Sequence, residues 1–159
     1  MKLIKKSVQL FATAAMILFA LSVSTLASDK LIIEKQRIGP ISLMMERSAA
    51  EKILGRPSSV RDEEGGVLIM KYDKEGFSLA LGSFHGKMQI TDITTSNPSY
   101  STLKGIHPGS TVAEMSKAYG KPVRISTYQG VTYHQYSSIT FRISGNRVSA
   151  VSISTTVFE

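Results

Sequence analysis

Residues 105–122 read Gly-Ile-His-Pro-Gly-Ser-Thr-Val-Ala-Glu-Met-Ser-Lys-Ala-Tyr-Gly-Lys-Pro, and the same plan stands about 65 residues earlier, between Gly39 and Pro57. At that offset Ile41 falls on Ile106, Gly55 on Gly120 and Pro57 on Pro122. A helix start, a short helix, a Gly stop and a Pro, written twice, indicate two copies of one small unit. No catalytic motif lies in either copy or between them. The duplication therefore speaks to architecture before it speaks to chemistry.

Local chemistry explains why these residues favour a helix. Thr111 can accept a hydrogen bond from the backbone N–H of Glu114 while the Glu114 carboxylate reaches back, the T-x-x-E capping box. Val112, Met115 and Tyr119 then share a face that Ala118 widens. Gly120 can take the left-handed conformation that ends a helix, and Pro122 prevents its resumption. The first copy places Glu46 where Thr111 stands, a weaker cap that still suits the positive end of the helix dipole, and Ser48-x-x-Glu51 offers a competing start. Ala49, Ala50, Ile53 and Leu54 supply its apolar face. Helices of roughly nine residues do not persist alone in water, so each stripe must be buried on something.

The chain opens with Lys2, Lys5 and Lys6, an almost wholly apolar run from Leu10 to Val23, and small residues after it. That is the plan of a secretory signal peptide over residues 1–27, with cleavage after Ala27. It predicts a secreted or extracytoplasmic bacterial protein of the cell envelope, touching a membrane only if the leader stays uncut. There is no cysteine, which excludes a lipid anchor, disulfides and thiol chemistry. The leader holds three of the 19 Lys and Arg and none of the 12 Asp and Glu, leaving 16 against 12, a net +4. Such a charge suits solubility or an anionic cell-wall polymer. The basic residues are scattered rather than striped, so nucleic acid is not expected as a partner.

Behind each helix the chain alternates with strand period. In the first copy, residues 31–97, Ser58 to Gly66 reads as a loop or strand end, Val67 to Tyr72 as a strand, and Phe77, Leu79 and Leu81 alternate with Ser78, Ala80 and Gly82. His85-Gly86-Lys87 turns the chain into a further strand from Met88 to Thr95. In the second copy, residues 100–159, Ile139, Phe141 and Ile143 alternate with Thr140, Arg142 and Ser144. Ser144-Gly145-Asn146 is a hairpin turn, and Val151 and Ile153 face in while Ser152 and Ser154 face out. The expected fold class is α+β: two tandem copies of a short helical segment packed on an antiparallel three- to four-stranded sheet, the other face of each sheet left open.

The pattern Gly-Ile-x-Pro-Gly-Ser-Thr-x-x-Glu-x-x-x-x-Tyr-Gly-Lys-Pro followed by antiparallel strands resembles the outer-membrane-assembly lipoprotein family (SmpA/OmlA-like). Its tandem doubling resembles the β-lactamase inhibitory protein fold. The first resemblance implies an envelope protein that binds other proteins, the second a secreted enzyme inhibitor. Two departures stand out: the lipid-anchoring Cys is absent, and Met44 occupies the place that Gly109 holds in the second copy.

A search for chemistry along the chain returns little. His85, His107 and His134 lack the paired spacing of a zinc site, and Asp62-Glu63-Glu64 lacks the alternating ligands and central Gly of a calcium loop. No nucleophile elbow occurs, and no carboxylate sits in an apolar stretch that would raise its pKa. Neither an enzyme nor a cofactor is expected. Tyr and Arg, which bury much area and still offer a hydrogen bond, point instead to an interface. Candidate partner-binding residues are Tyr128, Tyr133, His134 and Arg142 around the second copy's middle strands, Tyr72 at the place equivalent to Tyr136, and Phe84 at a hairpin tip. Alternation puts Tyr133 and His134 on opposite faces, so one of the two is expected to be buried. The function expected is that of a monomeric, non-catalytic module that binds an envelope or extracellular protein through open sheet faces or hairpin loops. The alternatives are an inhibitor of the β-lactamase inhibitory type and a binder of cell-wall polymer.

Overall fold

Strand-period alternation, more than the helix motif, sets the architecture of this chain. A computed structural model describes residues 30–156, and the expected leader lies outside them. The described chain starts with three short strands, β1 (Leu31–Ile33), β2 (Arg37–Ile38) and β3 (Ile41–Ser42), and reaches helix α1 (Arg47–Leu54). A meander follows: β4 (Ser59–Glu63), β5 (Val67–Tyr72), β6 (Phe77–Phe84) and β7 (Lys87–Thr95). After β8 (Ser101–Thr102), helix α2 (Val112–Tyr119) leads into a second meander of β9 (Arg124–Tyr128), β10 (Val131–Gln135), β11 (Thr140–Ser144) and β12 (Arg147–Ser154). The described elements form one compact unit that begins at Leu31.

The expected α+β class is not what forms. The fold is mostly β, with 49% of the described residues in strands against 13% in helices. The two meanders do not remain separate small sheets: they join into one eight-stranded antiparallel sheet in the order β4-β5-β6-β7-β12-β11-β10-β9. The physical reason lies at the seam. Each meander ends on a long strand, β7 or β12, whose outer edge would present a row of unpaired N–H and C=O groups. Pairing β7 with β12 satisfies both edges at once. A second, small sheet, β3-β2-β1-β8, holds β1 against β8 in parallel and carries the buried Ile32, Ile38 and Ile41.

The seam is a pseudo-two-fold axis. Leu79 pairs with Ile93 and Phe141 with Val151, Ala80 with Asp92 and Arg142 with Ala150, and both ladders slip by one residue directly afterwards. The slip is closed the same way in each half: the Thr91 hydroxyl donates to the Ala80 carbonyl at 3.2 Å, and the Ser149 hydroxyl to the Arg142 carbonyl at 3.1 Å. With these equivalences, the seam pairs Thr95–Val151 and Ile93–Ile153 exchange with one another, and Thr94–Ser152 maps onto itself. The axis therefore passes through Thr94 and Ser152, whose hydroxyls lie 2.7 Å apart.

One face of the large sheet is covered and holds the core. Met70, Tyr72, Phe77, Leu79, Leu81, Ile93, Phe141, Val151 and Ile153 point into it, joined by Ala50 of α1 and Met115 of α2. Tyr119, Tyr136 and Phe141 pack as edge and tilted rings with centroids 4.8 to 5.7 Å apart, and full burial of each such side chain stabilises the fold by about 1.5–3 kcal/mol. Helix α2 carries the complete capping box between Thr111 and Glu114. In α1, Glu46 makes no cap hydrogen bond and its carboxylate instead meets Lys87 at 2.5 Å. The loop before each helix is pinned alike: the Met44 N–H bonds to the Ile90 carbonyl and the Gly109 N–H to the Val148 carbonyl, each at 2.8 Å. That anchor demands a positive φ, 106° at Gly109 and 64° at Met44.

Candidate functional site

The other face of the eight-stranded sheet is left uncovered by the helices, which pack on the core side. Register places a single row of side chains across all eight strands on this face: Ser59, Lys71, Ser78, Thr94, Ser152, Thr140, Gln135 and Arg124. Every member is polar. Four hydroxyl residues form its centre, and Lys71 and Gln135 flank them at equivalent places in the two halves. Hydroxyls at cross-strand distance stabilise a sheet by pairing with one another, yet they still offer hydrogen bonds outward.

The rows on either side differ in character. One contains Arg61, Ile69, Ala80, Asp92 and Ser154; the other contains Ser126, Tyr133, Arg142 and Ala150. Tyr133 thus stands directly beside Arg142, and Tyr128, 66% exposed, lies further along the same face of β9. Among the described residues the Arg142 guanidinium has no ion pair. It borders two depressions of about 160 and 350 Å³; Lys71, Ser78, Thr94 and Ser96 share the first with it.

Asp92 lies in a third depression, of about 210 Å³. Its carboxylate accepts the Thr94 hydroxyl at 3.0 Å. Contrary to the expectation that no carboxylate here would have its pKa raised, burial, with no cation to offset it and only partly countered by that hydrogen bond, pushes the carboxyl up to about 6. Gln135 opens onto the same depression, and its Oε1 is buried with no hydrogen-bond partner among the described residues.

The structure separates the sequence-based candidates. Tyr128, Tyr133 and Arg142 come together on the uncovered face. Tyr72 is fully buried, which takes it off any partner surface; its hydroxyl has no partner among the described residues. Its counterpart Tyr136 donates to the Gly120 carbonyl at 3.0 Å, closing the end of α2. His134 pairs with Phe141 and faces the core side, half-buried, where desolvation holds the imidazole below its usual range. Phe84 stays 38% exposed at the β6–β7 tip, away from Tyr133, with its ring over Gly82; a Cβ there would meet the ring at 3.5 Å. Residues that local reasoning passed over are Asp92, Thr94, Gln135 and Lys71. The only sequence signal for them is the polar half of each alternation, and nothing local says which polar residues share a row.

Among the described residues no helix is long and apolar enough to cross a membrane, and no three His, Cys, Asp or Glu side chains gather as metal ligands would. No family model matches the chain, and no curated protein matches it. Among solved structures, it is similar to the uncharacterized protein yfeY from Escherichia coli, at a TM-score of 0.54 and 17% identity over 77% of this chain and 98% of that one, a likeness that shows the fold alone.

Proposed function

We propose that this chain is a non-catalytic, extracytoplasmic module of the bacterial cell envelope that binds another protein on the uncovered face of its eight-stranded sheet. The observation that supports this reading is the pairing of Tyr133 with Arg142, which has no ion pair among the described residues, on a hydroxyl-rich surface with Tyr128 nearby. Aromatic and Arg anchors set among hydroxyls are the composition of an interface core with a polar rim. The envelope setting is supported by the leader-like segment and by the resemblance of the helix-start motif to outer-membrane-assembly lipoproteins.

The test is capture from an envelope extract by the chain from Ser28, followed by binding measured with the purified partner. Tyr133→Ala and Arg142→Ala are expected to weaken binding tenfold or more, about 1.4 kcal/mol or greater, with the melting temperature kept. Retention of cell-wall polymer and no protein would overturn the reading. A second reading, a secreted enzyme inhibitor, is favoured by one feature, the exposed Phe84 at a hairpin tip. It requires that the captured protein be an enzyme, that its activity fall on binding, and that Phe84→Ala, rather than Arg142→Ala, restore that activity.

A further inference from the structure

We infer that the depression beside Asp92 is a site for one cationic nitrogen group, a primary ammonium or a guanidinium. The inference deepens the proposed function and rests on it only for the carrier of that group, a basic side chain of the bound protein rather than a free amine.

The two halves of the sheet supply the first argument. Asp92 is equivalent to Ala150 and Ala80 is equivalent to Arg142, and the backbone makes the same one-residue slip and the same hydroxyl-to-carbonyl bond around each pair. Alanine at the corresponding place in the other half shows that the strand pairing requires neither charge. Asp92 and Arg142 are thus additions to a frame that forms without them. They also lie on opposite sides of the central row, separated by about four residues along the strands (~13 Å) and two strand spacings (~10 Å), too far for them to neutralise each other.

The second argument is the balance of donors and acceptors. The depression is lined by Asp92, Tyr133, Gln135, Ser138, Thr140 and Ser152, among others. At 210 Å³ it has room for about seven waters of ~30 Å³ each, enough for the end of one long side chain. Several hydroxyls in and beside it are committed elsewhere. Ser138 donates to Glu34, Ser154 to the Thr156 carbonyl at 2.9 Å, and Thr94 to Asp92 itself while also bonded to Ser152. The depression's strongest acceptors are the remaining lone pairs of the Asp92 carboxylate and the buried Oε1 of Gln135, which has no hydrogen-bond partner among the described residues. Among the described residues no Lys or Arg lines the depression. Ammonium and guanidinium groups carry donors and no acceptor, so they complement such a site in hydrogen bonding and in charge together. An anion would be repelled by Asp92, and a sugar hydroxyl would leave the charge uncompensated.

The electrostatics agree. Burial holds the Asp92 carboxyl up to about 6, and among the described residues there is no compensating cation and the only other titratable group lining the depression is Tyr133. A bound cation favours the ionised form, so binding near pH 6 releases a proton and strengthens as pH rises through that value.

The probe is n-butylammonium, titrated against the isotope-labelled chain from Ser28, which contains the whole compact unit, with tetramethylammonium as a cation without N–H donors. The expected result is saturable amide shifts confined to Asp92, Thr94, Gln135, Ser152 and their neighbours. These should weaken about tenfold between pH 7.5 and pH 5, as the ionised fraction of a group titrating near 6 falls about tenfold, and should be abolished in Asp92→Asn. Asp92→Ala, copying Ala150, serves if the Asn protein does not fold. Shifts that persist in the variant, that scatter over other carboxylates, or that tetramethylammonium reproduces would overturn the inference. Capture of a protein through Arg142 and Tyr133 with no amine response sinks this site and leaves the proposed function standing. An amine response without protein capture does the reverse and assigns the site to a free amine.

Discussion

Asp92 is a carboxylate whose folded-state environment works against its charge, and the sign of its pH dependence follows. Its proton is held up to about 6 in the folded protein against 3.8 for an ordinary aspartate. The folded state therefore binds a proton more tightly than the unfolded chain across that window. Its contribution is most favourable below 3.8, declines as pH rises to 6, and stays at its least favourable above. Asp92→Asn removes the decline. Denaturant unfolding at pH 4 and pH 7 should show the variant gaining on the parent between the two, by at most about 3 kcal/mol at ~1.4 kcal/mol per pH unit. Met44 offers a second single-residue test. Its φ of 64° is a conformation that glycine adopts without strain, and at 42% exposed its side chain loses little by removal. Met44→Gly should leave stability equal or raise it by up to ~1 kcal/mol, whereas Gly109→Met should lower the melting temperature. At this scale the sequence was partly legible. The alignment of Met44 with Gly109 was visible, and alternation put Tyr133 and His134 on opposite faces. It could not distinguish a buried Tyr72 from an exposed Tyr128, because tyrosine is compatible with either side of a sheet.

Among the elements, the helices and their stops were the most legible, since a capping box and a Gly before a Pro are local chemistry. The same chemistry ranks the two. Thr111→Ala should cost about 1 kcal/mol of stability through loss of the α2 cap, while Glu46→Ala should cost less, because Glu46 makes no cap bond to lose. Thermal melts of the two variants side by side decide the order. Strands β2, β3 and β8 were not read from the sequence, and β4 only as a loop or strand end. Ser59–Glu63 is exposed at every position, so it has no buried side to write an alternation, and its charged Arg61, Asp62 and Glu63 read as loop. Those charges have a role that only the sheet reveals: β4 is one outer edge, and charged edges resist pairing with another chain. The opposite edge, β9, shows the exposed Ile125 and Tyr128 instead.

For the molecule as a whole, the two repeats share one sheet and one core, so they should unfold together. A chain ended after Pro98 would leave β7 with an unpaired edge and lose the β8 partner of β1. It is expected to show no cooperative melt, where residues 28–159 give a single transition by near- and far-ultraviolet circular dichroism. Phe141→Ala, at the meeting of Tyr119 and Tyr136 beneath the second meander, should cost about 3–5 kcal/mol and lower that single transition without splitting it. The fold class itself was misread at this scale. Each meander could be traced strand by strand, but whether β7 finds β12 or another partner is decided by residues about 60 apart, and no local pattern carries that information.

The axis through Thr94 and Ser152 has a consequence of its own. Two separate copies of one repeat, meeting edge to edge about such an axis, would form a symmetric dimer in which any change on one half is forced on the other. A feature such as Asp92 would then appear twice, and a visitor could land in either of two equal orientations. Running both repeats in one polypeptide lifts that constraint. Here the halves have diverged to acid on one side and base on the other, so the face has a head and a tail, and whatever settles on it is told which way round to lie.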